Sequence, residues 1–244
     1  SGMRRLARNL KPSKFSDLAA MIALFRPGPM DWIDDFVAAK QTPSRIKYPH
    51  PDLKPILAET YGIAIYQEQC LQMANIFAGY SLGEADILRL AIGKKKKEIM
   101  EKEKVKFLER AKSRGYSKES AEKVFALIEK FAGYGFNKSH STSYALIAYQ
   151  TAWMKVNFPL EFMAAVLTAE SGAGSGPTRD EKVALAVEEC RRTGITVLPP
   201  DINKSDVGFT IEKIEEKEVI RFGLSAIKNV GTAAIENILA SRQK

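Results

Sequence analysis

The sequence contains few residues of the types that bind zinc or form disulfide bonds. Its 244 residues include two cysteines, Cys70 and Cys190, and two histidines, His50 and His140, all far apart along the chain. A structural zinc site usually shows closely spaced pairs of Cys or His, and an isolated cysteine is most simply a small core residue. The spacing therefore predicts no zinc site, and both cysteines are expected in the core.

The sequence also lacks a long apolar run. No stretch reaches the roughly 18 apolar residues that suggest a membrane-spanning helix, and the N-terminus has no signal-peptide pattern. We therefore expect no membrane partner and a cytoplasmic location. At 45% hydrophobic residues, the chain can still bury a substantial core in one large domain or two small ones.

Acidic residues are scarce in one basic segment. Residues 89–118 contain twelve Lys or Arg and four Glu, a net charge of +8 that equals the net charge of the whole chain. Such clustering is what polyphosphate binding needs. Beyond residue 97, however, glutamates alternate with lysines at helical spacing, which is also typical of a solvated, salt-bridged helix face. Four lysines stand in a row with no acid between them: Lys94, Lys95, Lys96 and Lys97.

A polar run broken by glycines, Phe131-Ala-Gly-Tyr-Gly-Phe-Asn-Lys-Ser-His-Ser141, separates two helical patterns. Ser117 is predicted to cap the first helix, whose apolar residues recur every three or four positions and which Gly133 ends. Ser141 or Ser143 is predicted to cap the second. The run therefore predicts a loop directed along a helix axis.

Lys138 and His140 fall at the N-terminus of that second helix. Unpaired amides and the positive end of the helix dipole favour a phosphate at such a position, and a lysine adds a compact charge. The sequence therefore predicts an anion-binding loop. The same spacing also fits an ordinary connection between two helices with a solvated lysine.

The remaining patterns predict a mainly α protein with a small β-hairpin near its C-terminus. Helical spacing dominates to residue 170, apart from a short strand-like run at residues 61–66, and residues 208–214 and 218–224 alternate like a hairpin. Ser171-Gly-Ala-Gly-Ser-Gly-Pro177 has the composition of a flexible linker. We therefore expect a domain at 1–171, a linker at 172–179 and a further domain at 180–244.

Several motifs, taken together, closely resemble one family. They are Phe25-Arg-Pro-Gly-Pro29, Tyr61-Gly-Ile-Ala-Ile-Tyr-Gln-Glu-Gln69, Ala91-Ile-Gly-Lys-Lys-Lys96, Phe131 to His140, Ala145 to Trp153, and Leu198-Pro-Pro-Asp-Ile-Asn203. Their order and spacing resemble the fingers region of bacterial replicative DNA polymerase III alpha subunits. The resemblance covers essentially the whole chain. Gly223-Leu-Ser-Ala-Ile-Lys-Asn-Val-Gly231 resembles the start of the region leading to the family's helix-hairpin-helix elements.

The resemblance implies a multi-helix fingers domain from a larger DNA-directed DNA polymerase. In the family, palm aspartates bind two Mg²⁺ ions that activate the primer hydroxyl and stabilise the leaving pyrophosphate. The palm precedes this region, so the fragment is expected to hold no catalytic residue, bind no metal and be inactive alone. The lone Glu68 is expected to be structural.

The resemblance also implies a role for the candidate residues. Fingers position the incoming deoxynucleoside triphosphate and the template, and they neutralise charge on the phosphates. Leu90 stands where the family commonly has a second arginine, so one phosphate contact is expected to be missing or replaced. Lys94 to Lys97 are assigned to DNA phosphates. The nucleotide-binding candidates are Lys138, His140, Asn137, Ser139, Tyr134, Tyr144 and Arg89.

Alternatives remain open for several of these residues. Asn137 fits a contact with sugar or base, or a simple loop cap, and the aromatic side chains fit either stacking on a base pair or core packing. The implied partners are primer-template DNA, deoxynucleoside triphosphates and, through other regions, further replicative subunits. Two rival functions are a non-catalytic nucleic-acid-binding module and a protein-interaction fragment with solvated lysines.

Overall fold

The computed structural model describes residues 2–93, 97–172 and 177–242. These residues form twelve α-helices and one three-stranded β-sheet, which confirms the mainly α prediction. The chain divides into two compact units, residues 1–149 and residues 150–244. In the described part of the chain, no helix is long and apolar enough to cross a membrane.

The first unit is helical throughout, with short 3₁₀ turns between its helices. Its helices are α1 (Gly2–Leu10), α2 (Phe15–Leu24), α3 (Ile33–Gln41), α4 (Lys54–Leu57), α5 (Gln67–Ala78), α6 (Leu82–Gly93), α7 (Lys97–Ser113), α8 (Lys118–Ala132) and most of α9 (Lys138–Asn157).

Two clusters of buried side chains form the core of this unit. One joins α5, α6, α7 and α8, and the predicted apolar positions of α8 all lie in it: Val124, Phe125, Ile128 and Phe131. The other joins α1, α2 and α3 to the extended segment just before α5. Because that segment carries Ile65 and Tyr66 into the second cluster and then continues into α5, it links the two parts of the core.

Side-chain caps fix the helix starts on both sides of the basic segment. Ser81 and Glu84 form a capping box at the start of α6, with each side chain bonded to the other's backbone N–H at 3.2 and 3.0 Å. At the start of α8, Ser117 Oγ accepts the Ser120 N–H at 3.2 Å, as predicted. Gly133 follows the last residue of α8.

The second unit contains the sheet and the remaining helices. The helices are α10 (Pro159–Gly172), α11 (Pro177–Arg192) and α12 (Thr232–Arg242), and the strands are β1 (Val197–Leu198), β2 (Thr210–Ile214) and β3 (Lys217–Arg221). Strands β2 and β3 form the predicted antiparallel hairpin, while β1 pairs in parallel with β3 on its other side. The sheet packs with α10 and α11 around Leu167, Cys190 and Ile220.

One element differs from the sequence prediction. Residues 61–66 do not form a strand, because only Tyr66 makes a bridge, to Phe136, and no neighbouring residue extends it into a ladder. The predicted linker at 172–179 is described only in part, since residues 173–176 lie outside the described residues. The three-part division of the chain therefore stays a prediction.

Candidate functional site

The loop between α8 and α9, residues 133–137, is fixed on the segment that leads into α5. The Phe136 N–H donates to the Ile65 carbonyl at 3.0 Å, and the Gln67 N–H donates to the Phe136 carbonyl at 2.9 Å. Gly135 is needed for this close approach, because a Cβ there would lie 3.0 to 3.1 Å from Gln67 atoms, including its backbone nitrogen. The loop therefore has a set position relative to α5.

The N-terminal cap of α9 lies four to six residues earlier than predicted. Asn137 Oδ1 accepts the His140 N–H at 2.8 Å, so Asn137 is the cap and the prediction of Ser141 or Ser143 was wrong. Ser143 Oγ donates to the Ser139 carbonyl at 3.0 Å, one turn back within the helix. The fully buried Ser141 instead donates its hydroxyl to the Ala19 carbonyl in α2, which anchors α9 to that helix.

Two carboxylates bind the donor groups that the sequence predicts to bind phosphate. Both oxygens of Glu68, in the first turn of α5, accept the Lys138 N–H at 3.0 and 3.1 Å, and one also accepts Asn137 Nδ2 at 3.1 Å. Lys138 Nζ lies 2.5 Å from Glu59 Oε2. The structure thus places Lys138 and Asn137 together at a positive helix end, and it places internal anions against them. Glu68 has the structural contacts expected of it.

An array of ring contacts runs along the start of α9. The Phe136 and His140 rings lie 5.5 Å apart in an edge-on contact, and the His140 and Tyr144 rings lie 4.7 Å apart. Tyr144 and Tyr134 are about half exposed, at 55% and 48%, so they are not core residues. Aromatic faces that stay open to solvent beside a positive helix end can accept a stacked base.

Arg26 was not among the residues singled out from the sequence, although it lies at one end of this array. Its guanidinium carbon stands 4.8 Å from the centre of the Phe136 ring, and its nitrogens donate to the carbonyls of Ala23 and Tyr134. Partial burial lowers the pKa of Arg26. The sequence marks Arg26 only as part of the Phe25-Arg-Pro-Gly-Pro29 motif, and its ring contact depends on the fold.

The other basic candidates are not brought to this loop by any contact in the described residues. Arg89, in α6, forms an ion pair with Asp86 one turn earlier, at 2.9 Å. Lys94, Lys95 and Lys96 lie outside the described residues, and Lys97 is the first residue of α7. Ser139 and His140 are exposed at the start of α9.

In the described part of α7, one ion pair of the predicted face forms, between Lys106 and Glu103 at 3.9 Å, and further pairs join α7 to α6. Glu84 accepts from Arg110 at 3.0 Å and lies 3.6 Å from Lys106. Lys106 and Arg110 also each lie 4.9 Å from the centre of the Tyr80 ring. These two cations of the basic segment are therefore engaged within the fold, whereas Lys102, Lys104, Lys112 and Lys118 are exposed.

Comparisons with known proteins decide the family. Residues 1–115 match the bacterial DNA polymerase III alpha subunit finger domain, and residues 194–244 match a helix-hairpin-helix motif. The whole chain is 48% identical to DNA polymerase III subunit alpha of Borreliella burgdorferi over 243 residues, and 47% identical to that of Escherichia coli K12 over 250 residues.

Over its whole length, the chain matches the finger region of bacterial DNA polymerase III alpha subunits.

Its relatives are much longer proteins. The chain also matches the alpha subunit of Vibrio cholerae at 48% identity, and it spans 20 to 21% of the length of these three relatives. The resemblance to the fingers region of this family is therefore confirmed, and so is the helix-hairpin-helix resemblance at the C-terminal end.

Proposed function

We propose that this chain is the part of a replicative DNA polymerase that positions the incoming deoxynucleoside triphosphate and the template for DNA synthesis. The observation that carries the proposal is the start of α9, where Lys138, the capped helix N-terminus and the rings of His140 and Tyr144 lie together. A triphosphate suits the positive helix end, and a base suits the exposed rings. The match to the polymerase family supports the same assignment.

Each nucleotide-binding candidate has a definite part in this proposal. Lys138 and the helix N-terminus hold the phosphates, and His140 extends this phosphate-binding surface. Asn137 caps the helix and so keeps its N-terminus formed. Tyr134 and Tyr144 offer faces to the nascent base pair, and Ser139 adds a polar contact to sugar or phosphate. Arg89, which pairs with Asp86 in α6, is assigned a phosphate contact apart from this loop. Positioning of this kind raises the rate by holding reacting groups in line and by stabilising developing charge.

Metal-ion chemistry does not fit the described residues. No group of three or more His, Cys, Asp or Glu side chains there could hold a metal ion. We assign the two Mg²⁺ ions that such a polymerase uses, and the contacts to other replicative subunits, to other regions of the polymerase. The part of this chain is to bind and to orient.

The test uses the full-length alpha subunit with Lys138→Ala or His140→Ala. We expect the KM for the nucleotide to rise about tenfold for Lys138→Ala, because a charge-assisted contact is lost, while the Kd for primer-template DNA changes less than twofold. Lys123→Ala is the control, since Lys123 is an exposed lysine of α8 whose ion pair is with Glu119 of the same helix. Equal losses for nucleotide and duplex would instead favour a generic nucleic-acid-binding module.

A second function, binding of the DNA backbone, is favoured by the helix-hairpin-helix match and by the lysine run 94–97. Duplex binding weakens with salt, and the slope of log K against log salt concentration counts the phosphate contacts. We expect replacement of Lys94 to Lys97 by alanine to reduce the size of this slope by about three. The matched control replaces four exposed lysines, Lys102, Lys104, Lys112 and Lys118, which removes the same charge. An equal change in both variants would assign the effect to net charge alone.

A further inference from the structure

We propose that Glu59 and Glu68, called here the carboxylate pair, hold the phosphate-binding groups of α9 before nucleotide arrives and release them to the triphosphate. This proposal rests on the proposed function, because it assigns the occupant that the nucleotide replaces. It adds two positioning residues and a competition step that regulates the apparent affinity for nucleotide.

The two carboxylates converge on one residue from separate elements. Glu59 lies in the 3₁₀ turn of residues 58–60 and reaches Lys138 Nζ, while Glu68 lies in the first turn of α5 and reaches the Lys138 N–H. They are 79 and 70 residues away from Lys138 in sequence. A local helix cap needs neither of them, since Asn137 already supplies it. Their shared target is the pair of donors that a phosphate would use.

The charges of these groups explain why a carboxylate must leave before a triphosphate binds. Lys138 contributes one positive charge and the helix end about half a charge, whereas the carboxylate pair contributes two negative charges. While both carboxylates stay in place, these groups together carry a charge of about −0.5 and offer no net attraction of their own to a triphosphate. Binding therefore requires the phosphates to displace at least one carboxylate from its donor.

The contacts allow this exchange without loss of the helix end. The side chains of Lys138 and Glu59 are 41% and 40% exposed, and an ion pair in contact with water is weak. The start of α9 stays anchored when Glu68 leaves, because Asn137 still caps His140 and Ser141 still bonds to the Ala19 carbonyl. The loop also keeps both of its backbone bonds to the segment before α5.

The experiment uses Glu59→Gln and Glu68→Gln in the full-length alpha subunit bound to primer-template DNA. Glutamine keeps an oxygen that can accept the same hydrogen bond, so the fold is retained while the charge is lost. The readouts are the KM for a deoxynucleoside triphosphate and the inhibition constant of inorganic tripolyphosphate, which probes the phosphate site without a base. We expect each variant to lower both constants about fivefold. Glu119→Gln, which neutralises an exposed, paired glutamate of α8, should change neither.

A coupled variant shows whether Glu59 acts by holding the lysine. In a Lys138→Ala background, the effect of Glu59→Gln on tripolyphosphate inhibition should fall below about twofold, because the shared donor is gone. An effect that stays at its full size would mean that Glu59 only repels the phosphate electrostatically and does not act through Lys138. That result would overturn the proposed exchange of partners.

The remaining outcomes separate the inference from the proposed function. If Lys138→Ala raises the KM but Glu59→Gln and Glu68→Gln do not lower it, the carboxylate pair is only structural and the inference fails while the proposed function stands. A rise of KM in the two glutamine variants would also overturn the inference. If Lys138→Ala itself leaves the KM unchanged, the proposed function fails.

Discussion

The N-termini of α6 and α9 each bind a carboxylate, but the carboxylates come from very different places in the chain. At α6, Glu84 closes a capping box with Ser81, three residues away. At α9, Glu68 reaches across 70 residues, and Glu59 joins it on the adjacent lysine. Glu84 also binds Arg110 of α7, but its contact with the α6 N-terminus is local. Glu68 reaches the α9 N-terminus only through the fold, and we propose that another anion can replace it there.

A third helix start, that of α2, combines both arrangements. Asp17 accepts the Ser13 and Lys14 N–H groups just before the helix, and it also binds Lys40 Nζ at 2.8 Å and the Tyr61 hydroxyl at 2.7 Å. The Asp17 side chain is 1% exposed, so no water replaces these partners. The partners of Asp17 are therefore fixed, whereas we propose that the carboxylate pair gives up its partners to another anion.

The largest expected effect is therefore at α2. Asp17→Ala should lower the free energy of unfolding by about 3 kcal/mol, because it leaves the Lys40 charge without its counterion and two backbone N–H groups without an acceptor. Chemical denaturation followed by circular dichroism measures the change. A loss below about 1 kcal/mol would show that Asp17 contributes no more to stability than the side chain of an exposed helix cap.

The same residue predicts a dependence on pH. Desolvation raises the pKa of Asp17, but the hydrogen bonds from Lys40, Ser13, Tyr61 and Lys14 outweigh it and leave the pKa below its usual value of 3.8. Because the pKa is depressed in the fold, the stabilisation is complete above pH 3.8 and is lost as the pH falls below that value. Unfolding measured between pH 5 and pH 3 should show a shallower loss of stability for Asp17→Asn. Parallel curves for the two proteins would contradict this.

A smaller effect is expected from glycines at the two helix starts. Gly135→Ala places a Cβ 3.1 Å from the Gln67 backbone and should destabilise the chain by about 1 to 2 kcal/mol, because the loop must move away from α5. Gly83→Ala, in the first turn of α6, meets nothing within 4 Å and should stabilise by up to about 0.5 kcal/mol. Thermal unfolding measures both changes, and we expect a lower Tm for Gly135→Ala and a higher Tm for Gly83→Ala. Shifts of the same sign in the two variants would contradict this.

The smallest expected effect separates the remote carboxylate from the local one. Glu68→Ala leaves the Lys138 N–H and Asn137 Nδ2 without their acceptor and should cost about 1 kcal/mol. Hydrogen exchange at the first turn of α9 should rise in Glu68→Ala only. Faster exchange there in Glu84→Ala would show that the two helix starts are coupled.

Local signals in the sequence predicted much of the fold. The limits of α8 follow from Ser117 and from the glycines after residue 132, and the hairpin of β2 and β3 follows from its alternation. The start of α9 was misplaced because several polar residues in succession, from Asn137 onward, can each cap a helix, and only tertiary contacts choose among them. Strand β1 has two residues, too few to show a period.

The candidate site was predictable only in part. Lys138 and His140 at a helix N-terminus follow from spacing, because helix limits are local. The ion pair with Glu59 and the contact with Glu68 depend on a fold that brings residues 70 to 79 positions apart together, which no local pattern encodes. Arg26 was hidden for the same reason, since its ring partner Phe136 is distant in sequence.

The most direct test of the account is the distance between Lys138 Nζ and Glu59 Oε2 in a structure of the full-length alpha subunit with primer-template DNA and an incoming nucleotide. That distance is 2.5 Å here. The account predicts that it exceeds about 4 Å, beyond the reach of an ion pair, with Nζ in contact with a phosphate oxygen. An unbroken ion pair between Lys138 and Glu59 beside a bound triphosphate would contradict it.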